Sequence, residues 1–171
     1  MANAPRTVNP MAKKQARLWD GSSGAVENAK RALPRLATRF FRKGRKLVAE
    51  NASYEQLHAF RLEAKRFRYT LELFRPLYGP GLERRLAALR QLQQYLGEIN
   101  DCVVTRALFE NMGARRSRNA AQWFGFLDKE ASRIAADYRL YWREKFDLAG
   151  LERQWTAYLR TFAGRTGGRR A

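Results

Sequence analysis

The chain is poor in the residues from which most catalytic centres are built. Among 171 residues there is one cysteine, Cys102, and one histidine, His58. A single cysteine excludes an internal disulfide and fits a reducing compartment. One His and one Cys also exclude a His/Cys metal cluster within one chain. No Gly-rich phosphate loop is present, and no two Glu residues stand at i, i+2 as a strand-borne, metal-holding carboxylate cluster would need. No catalytic, cofactor or metal-ligating set is expected. Long apolar runs are absent as well. No N-terminal stretch reads as a signal peptide, and no segment is apolar enough to span a bilayer. The expectation is a cytoplasmic protein without membrane insertion.

Acid is also in short supply. Lys and Arg number 34 against 16 Asp and Glu, giving a net charge of +18. That excess points to a polyanionic partner, whether nucleic acid, polyphosphate or an anionic membrane surface. The competing explanation is a basic surface that is merely solvated. Hydrophobic residues make up 45% and aromatics 12%, so the chain is no disordered basic tail and is long enough for one domain with a real core.

Residues 1–23 have no sustained period and read as a flexible basic N-terminal arm, and residues 164–171 as a basic disordered tail. Between them, residues 24–163 read as helix throughout, with no alternating strand pattern and no internal repeat. A first helix is predicted over 25–49, N-capped by Ser23, with Pro34 kinking it or marking a later start. A second begins at Ser53, where Gln56 completes a capping box, and runs to about Tyr78. A third covers 81–112 with Gly97 as a weak point, a fourth 117–146 and a fifth 151–163. The fold class is all-α, an antiparallel bundle of long helices.

The second helix carries the most informative stretch, LHAFRLEAKRFRY. His58, Arg61, Lys65, Arg68 and Tyr69 fall within a sector of about 100° on a helical wheel. Leu57, Phe60, Ala64, Phe67, Leu71 and Phe74 fill the neighbouring sector and must face a core. The cations therefore border the buried face, where desolvation is costly, and an anionic ligand held between helices accounts for them. His58 to Arg68 spans about 15 Å of helix, with successive cations one turn apart, a spacing suited to a chain of phosphates. The plainer role for His58 is a neutral hydrogen-bonding residue.

On the first helix Arg31, Arg35, Arg42, Arg45 and Lys46 share one side, with Arg39 at its margin. Alone this is an ordinary amphipathic helix; if its stripe converges with that of the second helix, the two form a cationic groove. In the third helix Arg90, Gln93, Gly97, Asn100 and Asp101 lie on one side, and Asp101 could orient a nearby cation. The fourth and fifth helices supply Trp123, Phe124, Phe126, Leu127, Ile134, Tyr138, Tyr141, Trp142, Phe146 and Trp155, which at these spacings are expected in the core instead of forming base-stacking platforms. Arg115, Arg116 and Arg118 read as a solvated loop patch, and Lys129 and Arg133 as one more basic pair.

Two segments, LHAFRLEAKRFRYTLELF and LRQLQQYLGEINDCVV, resemble the CHAD domain, the conserved-histidine α-helical domain. The pattern of a His, an Arg three residues on, a Lys-x-x-Arg-Tyr segment and a later Leu-Gln-x-x-Leu-Gly-x-x-Asn-Asp segment is met by His58, Arg61, Lys65, Arg68, Tyr69, Leu92, Gln93, Leu96, Gly97, Asn100 and Asp101. The resemblance implies an all-helical protein that binds inorganic polyphosphate in a basic cavity, without catalysis or cofactor. His58, Arg61, Lys65 and Arg68 would line it, Arg31, Arg35, Arg42 and Lys46 would face it, and Arg90 and Gln93 are weaker candidates. Tyr69 and Asp101 would act as supports.

A full CHAD domain has two similar helical halves, and this chain has about half that length and resembles the second. A homodimer rebuilding the cavity is the expectation, as is association with polyphosphate granules. The alternative function is nucleic-acid binding, and a metal-dependent phosphohydrolase ranks below both.

Overall fold

The structure is a computed structural model and describes residues 18–112 and 119–164. The described residues form helices α1 (Ala25–Ala49), α2 (Tyr54–Leu73), α3 (Gly81–Asn111), α4 (Ala120–Tyr141) and α5 (Leu151–Thr161), and contain no strand. The all-α expectation holds. None of these helices is long and apolar enough to cross a membrane.

Local chemistry accounts for most boundaries. The capping box at α2 is present: Gln56 N–H donates to Ser53 Oγ at 3.3 Å and Ser53 N–H to Gln56 Oε1 at 2.9 Å. The cap of α1 differs from expectation. It is Gly24, with no side-chain bond, while Ser23 Oγ donates to Asp20 instead. Pro34 does not delay the start of α1, which runs from Ala25 straight through it. Proline inside a helix costs about 3 kcal/mol, and burial of Leu33, Pro34 and Ala37 on the core face offsets it. Helix α2 ends at Leu73, short of Tyr78, and passes into a 3₁₀ turn over Arg75–Leu77. Pro76 explains this, because it has no N–H to continue the ladder and disfavours helical geometry at the residue before it. Helix α3 is continuous past Gly97.

The apolar faces meet in one core. On α2, Leu57, Phe60, Ala64, Phe67 and Leu71 are buried as the wheel requires; on α3, Leu82, Leu86, Leu89, Leu92, Leu96 and Ile99 are. An aromatic cluster joins the layers. Phe40 of α1 stacks on Phe60 of α2 at 4.9 Å, and Trp142 stacks on Phe146 at the same distance. Helix α4 closes in a π turn over Trp142–Phe146, marked by the bond from Asp147 N–H to Trp142 O at 2.8 Å. The wider turn accompanies burial of both rings, Trp142 and Phe146. Trp142 lies against the backbone of α1: a Cβ at Gly44 would fall 2.0 Å from its ring.

Cross-helix contacts set the register. His58 meets Asn100 and Arg68 meets Gln93, so α2 and α3 run antiparallel. Tyr141 donates to Ala88 O and Arg106 pairs with Asp128, which orders α3 against α4 in the same sense. Arg45 of α1 pairs with Asp147 and with Glu152 of α5. The part of the expected N-terminal arm that is described, residues 18–23, is packed: Trp19 stacks on Phe74 at 5.3 Å, and Asp20 accepts from Ser22, Ser23 and Arg31. The arm before Leu18, the tail from Arg165, and the loop patch of Arg115, Arg116 and Arg118 lie outside the described residues.

The aromatics divide. Ile134, Tyr138, Trp142, Phe146 and Trp155 are core residues, and Phe124, Leu127 and Tyr141 are half-buried. Trp123 and Phe126, expected in the core, are exposed at 59% and 57%. They sit on the first turns of α4, alongside the last turns of α3. The run of core side chains has ended there on both helices, after Ile99 on α3 and, apart from Ala120, before Ala131 on α4.

Candidate anion-binding surfaces

The α2–α3 seam brings together residues from both motif segments. His58 Nδ1 lies 2.5 Å from Asn100 Oδ1. Two turns further on, Arg68 Nε donates to Gln93 Oε1 at 2.8 Å. Between these pairs stand Arg61 and Lys65. Arg61 passes over Gly97: a Cβ there would lie 4.0 Å from its Nε and meet no other neighbouring group. The sequence folds this way because Leu57, Phe60, Ala64 and Phe67 anchor α2 on the core, which leaves the adjoining stripe at the rim of the seam.

The ion pairs sort the cations. Arg68 is mostly buried and also bonds Glu72 at 2.6 Å, with its guanidinium 4.6 Å from the centre of the exposed Tyr69 ring. Arg61 and Lys65 are half-buried and form no ion pair among the described residues. Removing two cations partly from water without a carboxylate is unfavourable unless an anion from solution completes them. Gln93 Nε2, in the same seam, is a buried donor with no partner. Asp101 is exposed and makes no ion pair with these cations among the described residues. Arg90 is exposed and 3.8 Å from Glu83.

The α1 stripe lines a different seam. Arg35, Arg39 and Arg42 border a groove of about 330 Å³ with Pro34, Thr38, and Thr156 and Arg160 of α5. The stripes of α1 and α2 thus do not merge into one groove. Arg31 is bound to Asp20 and Asn28, and Lys46 lies 3.8 Å from Glu50. Arg45 is held by Asp147 and Glu152, which keep its guanidinium charged far above the ordinary range. Arg160 and Thr156 were not anticipated. Their spacing with Arg153 on one side of α5 is the signal that points to them.

Elsewhere the chemistry is quiet. Arg85 lies with its guanidinium 3.7 Å from the Tyr158 ring centre, and burial lowers its proton affinity. Burial and the neighbouring carboxylates push the Cys102 thiol up, away from the reactive thiolate. Among the described residues no three His, Cys, Asp or Glu side chains gather as metal ligands.

No curated protein and no solved structure matches the chain. A family model, that of the CHAD domain, matches residues 5–110, which include α1, α2, nearly all of α3 and the whole His58–Asn100 seam. Covering well over half of the 171 residues, this match places the chain in the CHAD domain family.

Proposed function

We propose that this protein binds inorganic polyphosphate along the α2–α3 seam and does not turn it over. The observation that carries the reading is the pair Arg61 and Lys65, half-buried and without a carboxylate partner, framed by His58–Asn100 and Arg68–Gln93. Family membership points to the same ligand class. Arg61 offers a planar fork of donors to phosphate oxygens and Lys65 a point charge one turn away. His58 and Arg68 extend the line at either end, and Gln93 adds an amide donor. Asn100 orients His58, and Tyr69 supports the guanidinium of Arg68.

Arg35 and Arg42, joined by Arg39 and Arg160, form a second anion-attracting surface for a chain long enough to leave the seam. Arg31 and Lys46, each already near an acidic side chain, and the exposed Arg90 contribute mainly to the surrounding potential. Binding through many phosphate contacts falls steeply as salt rises and strengthens with chain length.

A net charge of +18 also attracts nucleic acid. Competition separates the two ligands. Polyphosphate should displace duplex DNA at equal phosphate concentration, and Arg61→Ala/Lys65→Ala should weaken polyphosphate far more than DNA. Equal losses for both ligands would leave only a general basic surface. Release of orthophosphate from polyphosphate with added Mg²⁺ or Mn²⁺ would overturn the non-catalytic part of the reading.

A further inference from the structure

The end of the α3–α4 hairpin carries apolar side chains that nothing in the described chain covers. On α3, Val104, Leu108 and Met112 are exposed at 55%, 54% and 72%. Their four-residue spacing places them on one helical face. On α4, Trp123 and Phe126 are exposed to a similar degree. Helix α3 runs on past Ile99, its last core residue, to Asn111, about 18 Å of further helix. Its partner there is the start of α4, held by Arg106, which pairs with Glu110 and Asp128 and lies 5.5 Å from the Phe124 ring. The hairpin is therefore tied together by its own polar contacts while its large apolar side chains face outward. Scattered single apolar residues need no explanation, but a cluster of this composition, rich in Met, Trp, Phe and Leu, has the character of a protein interface.

We infer that this hairpin end is a self-association surface, on which a second copy of the chain packs about a two-fold axis to make a four-helix contact. Charge selects this occupant. Two copies at +18 repel, so they can meet only where the surface is close to neutral. Between Asn100 and Glu130 the sequence has five basic against four acidic residues, so nearly the whole excess lies elsewhere. Arg106 is already compensated within the hairpin, and Arg133 just beyond it is bound by Glu130 and Asp137. The second exposed apolar stripe, Leu62, Tyr69 and Leu73 on α2, is unsuited to the same use. It is interleaved with Arg61, Lys65, Arg66 and Arg68, and a second copy there would set like charges face to face. A hairpin paired with its own copy also satisfies two-fold packing with a single patch. The inference rests on burial and charge alone and stands whether or not the α2–α3 seam binds polyphosphate.

The test is sedimentation equilibrium on the full chain at physiological salt, without polyphosphate, over a micromolar concentration series. The expected mass is twice 19.9 kDa for the wild type and 19.9 kDa for Leu108→Glu/Trp123→Glu. Both substituted side chains are exposed, and an unchanged far-ultraviolet circular dichroism spectrum checks that the variant is folded. A second readout is intrinsic to the chain. Trp142 and Trp155 are buried, so a concentration-dependent blue shift of emission that vanishes in Trp123→Phe reports burial of Trp123 itself. A monomeric wild type, or a dimer that survives the double substitution, would overturn the inference. So would a Trp123 shift that appears only with anionic phosphatidylserine vesicles or with single-stranded DNA, since it would assign the patch to a membrane or to nucleic acid.

Discussion

His58 Nδ1 and Asn100 Oδ1 lie 2.5 Å apart although 42 residues separate them in the sequence. This bond closes one end of a seam whose other end is closed by Arg68 and Gln93. The two pairs hold α2 and α3 in one register, and that register sets Arg61 over Gly97. A pattern of residues on two helices thus becomes a row of donors on one surface.

Gly97→Leu tests that row without altering charge. A side chain at this position projects from a Cβ 4.0 Å from Arg61 Nε and would displace the guanidinium. Polyphosphate affinity should fall about tenfold, the loss of roughly one charge-assisted contact. Affinity for duplex DNA, measured by the same titration, should be unchanged.

Gly44→Ala tests the core. Alanine is the better helix former by about 1 kcal/mol, yet its Cβ would lie 2.0 Å from the Trp142 ring, which is buried and cannot swing away. Overpacking should prevail, with a net loss of about 2 kcal/mol in urea unfolding.

Two buried tyrosines should respond in opposite ways to loss of their hydroxyls. Tyr78 donates to Leu159 O at 2.7 Å, and Tyr78→Phe leaves that carbonyl unpaired, at a cost of about 1–2 kcal/mol. Tyr138 Oη is buried without a partner. Tyr138→Phe should be neutral or stabilising by up to about 1 kcal/mol. Thermal unfolding of the two variants side by side decides it.

The same residues predict alkaline sensitivity. Burial raises the proton affinity of Tyr78 and Tyr138 well above that of an exposed phenol. In the unfolded chain both ionise near pH 10, whereas in the folded chain both keep their protons beyond it. The folded state then binds more protons, so their contribution is complete below about pH 10 and is lost as pH rises further. The urea midpoint should decline from about pH 10 upward, and less steeply in Tyr138→Phe.

Much of this arrangement was legible in the chain. The capping box, the core face of α2 and the cationic stripe beside it follow from residue spacing, because each depends on neighbours within one or two turns. What spacing does not reveal is which helix comes to lie against which. Arg35 and Arg42 match the wheel but face α5, since Phe40 and Phe41, not the arginines, set how α1 sits on the core. Trp123 and Phe126 have core composition and core spacing. They remain exposed because the hairpin outruns the helices that would cover it, a matter of relative length that no single helix encodes.

The most direct test of the central reading is calorimetric titration with polyphosphate of defined length near physiological salt, using the wild type, Arg61→Ala/Lys65→Ala and Arg35→Ala/Arg42→Ala. The predicted result is tight, length-dependent binding that collapses in the first variant for short and long chains alike. In the second variant it should weaken only for long chains. Equal losses in both variants, which remove the same charge, would contradict the assignment of the α2–α3 seam as the binding site.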